Sequence, residues 1–164
     1  MTQLLFVHGA GGYVEDRLIA DGLASRLGAD VEMPHLPDDD MSFEAWAEPI
    51  RRALDAGPDI IVGHSFGASV LLHVLNGCTA RSVALLAAPE WSASGWAVAD
   101  YAYSGPEPDV ALSLHHCRDD EEVPFEHLAL YAAALPSAQV YEHPCGGHQF
   151  EGTLDAVASA IGCA

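Results

Sequence analysis

The sequence has no lysine, and only six arginines stand against 24 acidic residues, a net charge of −18 with histidine neutral. Such a surface repels phosphate backbones and anionic headgroups, which excludes nucleic acid and a charged membrane surface as partners. Long apolar runs are also missing; none approaches the roughly 20 residues that a membrane-spanning helix needs. No basic region or cleavage-site pattern precedes LLFVHG near the N-terminus, so an export signal is not expected and a cytoplasmic location is. There is no CxxC pair. The four cysteines, at 78, 117, 145 and 163, are scattered and read as reduced thiols rather than a disulfide framework. Two groupings of metal-ligand types occur, His115-His116-Cys117 and His143, Cys145 and His148. Neither has the spacing of a zinc motif, so no metal is expected. Repeats, linkers and low-complexity tracts are absent too, which points to one domain over residues 1–164.

What is present is a regular alternation. Half the residues are hydrophobic and 18% are charged, a composition that builds a core. Short apolar runs at 3–7, 29–33, 59–62, 82–87, 109–115 and 138–142 predict strands. Between them, helical periodicity marks 14–27, 42–56, 67–76 and 124–135, with a last helix at 152–161. This βαβα rhythm predicts an α/β fold, a six-stranded, mostly parallel, doubly wound sheet with helices on both faces. Runs such as IIV and VALLA fit strands buried on both sides. Residues 88–108, rich in aromatics, glycine and proline, break the rhythm and read as a crossover or a short flap over a pocket.

The stretch IIVGHSFGAS at 60–69 carries the first chemistry. Gly63-His64-Ser65-Phe66-Gly67 fits a G-x-S-x-G turn, with an apolar strand before it and a helix after it. That turn lifts a serine clear of the backbone as a nucleophile. A serine nucleophile needs a histidine base and an acid to orient it. The fifth predicted strand is followed by Cys117-Arg118-Asp119-Asp120-Glu121-Glu122-Val123-Pro124, and the sixth by His143-Pro144-Cys145-Gly146-Gly147-His148. Serine, aspartate and histidine thus occur in order, each after a strand, at the edge where open α/β sheets bind ligands. An oxyanion formed at the serine needs two backbone donors. The amide of Phe66 is one candidate and that of Ala10, in His8-Gly9-Ala10-Gly11-Gly12, is the other. That glycine loop lacks the G-x-G-x-x-G spacing of dinucleotide sites.

FVHGAGG at 6–12, MPHLPDDDMSFEAWAEPI at 33–50, IVGHSFGAS at 61–69, RDDEEVP at 118–124 and CGGHQF at 145–150 together resemble α/β-hydrolases. The resemblance is strongest to the small lidless serine hydrolases similar to retinoblastoma-binding protein nine, and it covers essentially the whole chain. It implies a minimal α/β-hydrolase fold with no large cap domain, residues 88–108 standing at the cap's usual insertion point. It also implies that the acid begins a D-x-x-[VL]-P pattern, which selects Asp120; Asp119 is the neighbouring alternative. His8 fits the wider superfamily better than this group. The expected catalytic set is then Ser65, Asp120 and His148, acting through an acyl-enzyme on a small ester or thioester, with no cofactor. Gly9, His64 and Trp91 make up the expected substrate-binding set, His64 also having a structural part in the elbow. Leu36, Phe66, Trp91, Trp96 and Phe125 are candidates to line an acyl pocket. A catalytically silent binding or scaffold protein on the same fold is the alternative from another class.

Overall fold

The computed structural model describes residues 1–163. In chain order the elements are β1 (Thr2–Val7), α1 (Arg17–Leu27), β2 (Ala29–Glu32), α2 (Phe43–Leu54), β3 (Ile60–His64), α3 (Ser65–His73), β4 (Ser82–Leu86), β5 (Leu112–Cys117), α4 (His127–Ala134), β6 (Gln139–His143) and α5 (Leu154–Gly162). The six strands form one sheet in the order β2-β1-β3-β4-β5-β6, and every pairing is parallel.

Alternation along each strand divides the apolar residues between two cores. Leu5, Val7, Ile61, Val83, Leu85 and Leu114 face α2, α3 and α4. Leu4, Phe6, Ile60, Val62, Ala84 and Leu86 face α1 and α5. The four strands from β1 to β5 have both faces covered, which is why they read as unbroken apolar runs. β6 lies at the edge, and Val140 on it is 44% exposed.

Two of the shifts in element boundaries bear on the site. The fifth strand, expected over 109–115, runs from 112 to 117, so His116 and Cys117 lie within it rather than in a following loop. Their polar type disguised a strand whose six residues are all buried. At the elbow, β3 extends through His64 and α3 begins at Ser65, with no loop between them.

Chain direction across the sheet reverses between β1 and β3, because β1 continues outward to β2 while β3 continues the other way to β4. The connections leaving β1 and β3 therefore diverge and leave a crevice at their C-terminal ends. The loop after β1 carries His8–Gly12, and Ser65 opens α3 directly at the end of β3. The connection from β4 to β5, residues 87–111, is a short irregular segment with one 3₁₀ turn at Ala99–Tyr101, and no large cap is present.

Candidate active site

Ser65 sits in the left-handed region at φ 52°, an arrangement that a non-glycine residue adopts only when its surroundings impose it. The flanking glycines show what imposes it. A Cβ on Gly67 would lie 2.1 Å from the carbonyl oxygen of His8, and one on Gly63 would lie 2.8 Å from Cα of Ala68. Both neighbours are backbone, so neither yields. Gly67→Ala is expected to lower stability by about 3 kcal/mol, since overpacking a fixed site costs energy that side-chain motion does not relieve. Urea unfolding checks this, and an unchanged midpoint refutes it. Phe66 follows at the first turn of α3, where backbone amides have no partner within the helix.

On the far side of the crevice, His148 Nδ1 lies 2.9 Å from Asp120 Oδ2. Asp120 is enclosed: Oδ1 accepts from the amides of Glu122 and Val123, and Oδ2 also faces His116 Nε2 at 3.2 Å. Burial alone would raise the Asp120 pKa. The bonds from His116, His148 and the Val123 amide outweigh it and hold the carboxyl well below the usual range. For His148, burial disfavours the charged ring, but the bond and charge of Asp120 prevail and raise its pKa. Asp119 turns elsewhere; its carboxylate accepts from the amides of Gly146 and Gly147 and so shapes the loop that carries His148.

A second carboxylate organises the crevice from below. Asp16 is 1% exposed, and its Oδ2 accepts from the Gly9 amide at 2.7 Å and contacts His64 Nδ1 at 2.8 Å. Its Oδ1 accepts from the Gln149 side chain. His64 Nε2 in turn lies 2.8 Å from the carbonyl oxygen of His148. Carboxylate and carbonyl are both acceptors, so the two contacts are hydrogen bonds together only when both His64 nitrogens carry hydrogen. One buried side chain thereby ties together the glycine loop, the elbow and the histidine loop. Burial would raise the Asp16 pKa, but the bond and charge of His64 lower it, so Asp16 is ionised. Sequence reasoning missed Asp16.

Ser65, His148, Gly9, Ala10, His64, Phe66 and Trp91 all line one cleft of about 250 Å³. Trp96, Tyr101 and Met41 close its apolar side. Trp91 Nε1 is buried with no partner among the described residues. Two expected pocket residues lie elsewhere. Leu36 is fully buried in the core, its amide bonded to His8 Nε2. Phe125 packs on the His116 ring and under the Arg118 guanidinium. Both are apolar, and apolar type alone does not distinguish core from cleft. His8 is a core residue rather than a cleft residue, fully buried with its ring beside Tyr13 and Trp46.

Sheet order, elbow and switch-point crevice define an α/β-hydrolase fold. A model of the family described as serine hydrolase matches residues 5–151, and the chain belongs to that family. Solved structures agree on the fold. The esterase domain of a Rhodothermus marinus protein is 19% identical, with 99% of this chain and 84% of that one aligned at a TM-score of 0.69. Est1E from Butyrivibrio proteoclasticus, solved with ferulic acid bound, is 14% identical, with 99% and 87% aligned at 0.76. The ydeN gene product of B. subtilis is 18% identical over the whole of both chains, at 0.68. At these identities the likeness speaks for fold alone. No curated protein sequence matches.

Proposed function

We propose that the chain is an esterase-type serine hydrolase, cleaving a small ester or thioester through Ser65, His148 and Asp120. The observation that carries this reading is the Asp120–His148 pair opening on the same cleft as a serine held in the left-handed conformation. Ser65 Oγ attacks the acyl carbonyl while His148 Nε2 takes its proton. Asp120, bonded to Nδ1, keeps Nε2 free as the acceptor and stabilises the imidazolium that forms. Negative charge on the carbonyl oxygen is met by the amides of Phe66 and Ala10, aided by the positive end of α3. His148 returns the proton to the leaving group, and water then repeats the sequence to release the acid.

A fluorophosphonate probe tests the assignment. Stoichiometric labelling of the folded protein, abolished by Ser65→Ala, is the expected result, with turnover of short p-nitrophenyl esters alongside it. Folded protein that does not label overturns the reading and leaves a hydrolase-fold binding protein instead.

A further inference from the structure

The wall of the cleft opposite the histidine is aromatic and arranged as a corner. Phe66 and Tyr101 meet edge to face at 4.9 Å, Trp91 and Tyr101 at 5.0 Å, and Trp91 and Trp96 at 5.1 Å, with interplanar angles of 80°, 68° and 73°. Mutually tilted rings present both faces and edges to the space between them, and ring faces attract cations. Glu15 and Glu122 also line the cleft, and its lining contains no arginine. The protein's cations are committed elsewhere. Arg17, Arg26, Arg51, Arg52 and Arg118 are each paired with an acidic side chain. Arg81 precedes β4, at the end of the sheet opposite the site.

From this corner and this imbalance we infer that the cleft selects esters carrying a quaternary or primary ammonium group. The inference rests on the hydrolase reading above and adds the substrate's charge class to it. The two sources of attraction are independent: the rings act through their quadrupoles, while Glu15 and Glu122 act through charge that salt screens. A neutral ester gains only the apolar contact. A carboxylate-bearing ester meets Glu15 and Glu122 with no arginine in the lining; the one basic ring beside Glu122 is His148, its Nε2 3.5 Å away.

Butyrylcholine and 3,3-dimethylbutyl butyrate test this, being alike in shape and differing by one positive charge. At low salt and one fixed pH, kcat/KM for the choline ester should exceed that for its isostere by about tenfold. The ratio should fall in about 0.5 M sodium chloride, where screening is short-ranged, but stay above one because ring contacts persist. Glu15→Gln combined with Glu122→Gln should lower the ratio at low salt, and Trp91→Leu should lower it at high salt. A ratio of one or less in protein that labels and hydrolyses the neutral ester overturns the inference and leaves the hydrolase reading intact. Failure of labelling overturns the hydrolase reading itself. If the protein labels but turns over neither ester, protection decides the matter. Choline should slow labelling where 3,3-dimethylbutan-1-ol does not, and equal protection by the two counts against the inference.

Discussion

Asp120→Asn will lower kcat by about 10⁴-fold, because an amide in place of the carboxylate favours the wrong histidine tautomer. The carboxylate Oδ2 accepts from His148 Nδ1, so Nδ1 holds the hydrogen and, in the mechanism we propose, Nε2 is left bare for the serine proton. An asparagine that turns its NH₂ toward Nδ1 makes that nitrogen an acceptor, and the proton moves to Nε2. His116 adds to the penalty, since its Nε2 also points at Oδ2. The pH profile separates this from simple misfolding. In the wild type, kcat/KM should rise with pH through an inflection above 6.5, because Asp120 raises the pKa of His148 and only the neutral ring accepts a proton. In Asp120→Asn the inflection should move down as that support disappears. Asp119→Asn is the control, since Asp119 bonds the Gly146 and Gly147 amides and not the ring. Equal losses for the two variants, or a loss below about tenfold for Asp120→Asn, contradict the assignment.

The order of elements, the elbow and the site's place at the strand ends were all legible in the sequence. They depend on local pattern: apolar runs broken by turn residues, and two glycines bracketing a serine between a strand and a helix. What escaped depends on contacts across the chain. Asp16 lies in YVED and reads as an ordinary acidic start to a helix. Its burial is created by partners 48 and 133 positions away, His64 and Gln149. Tyr101 belongs to an irregular stretch in which no periodicity says which ring faces the cleft; its hydroxyl bonds the carbonyl of Met41, itself a cleft residue. The choice between Asp119 and Asp120 was open for a similar reason. Adjacent residues in a turn point apart, and only the folded loop shows which meets the imidazole. His115 and His143 are the extreme case. Their spacing fitted no metal motif and their polar type gave no sign of burial, yet the fold buries them as a stacked pair on β5 and β6.

That pair makes the fold acid-labile in a defined window. His115 lies in β5 with Nδ1 3.1 Å from His143 Nε2 and Nε2 3.0 Å from Ser113 Oγ, stacked on the rings of Tyr141 and His143. His143 in turn meets the buried ring of Phe150 edge to face. Among the described residues no carboxylate touches His115, so burial, with the neighbouring His143 adding to it, pushes its pKa down to about 3. Burial lowers the pKa of His143 in the same direction. The unfolded chain takes up a proton on such a ring near 6.5, whereas the folded chain waits until about 3. The contribution is therefore fully present above pH 6.5 and is lost as pH falls from there toward 3. From His115 alone the loss between pH 7.5 and pH 5 is about 2 kcal/mol, and by pH 3 it reaches about 5 kcal/mol as an upper bound. Net charge argues the other way. Self-repulsion of a −18 chain is least near its pI of about 4.5, so a fold governed by net charge would gain stability on mild acidification. Urea midpoints at pH 7.5 and pH 5 decide between the two, with a lower midpoint at pH 5 expected. His115→Gln, which keeps a donor and an acceptor without a titrating group, should flatten that slope; an unchanged slope assigns the acid sensitivity to other groups.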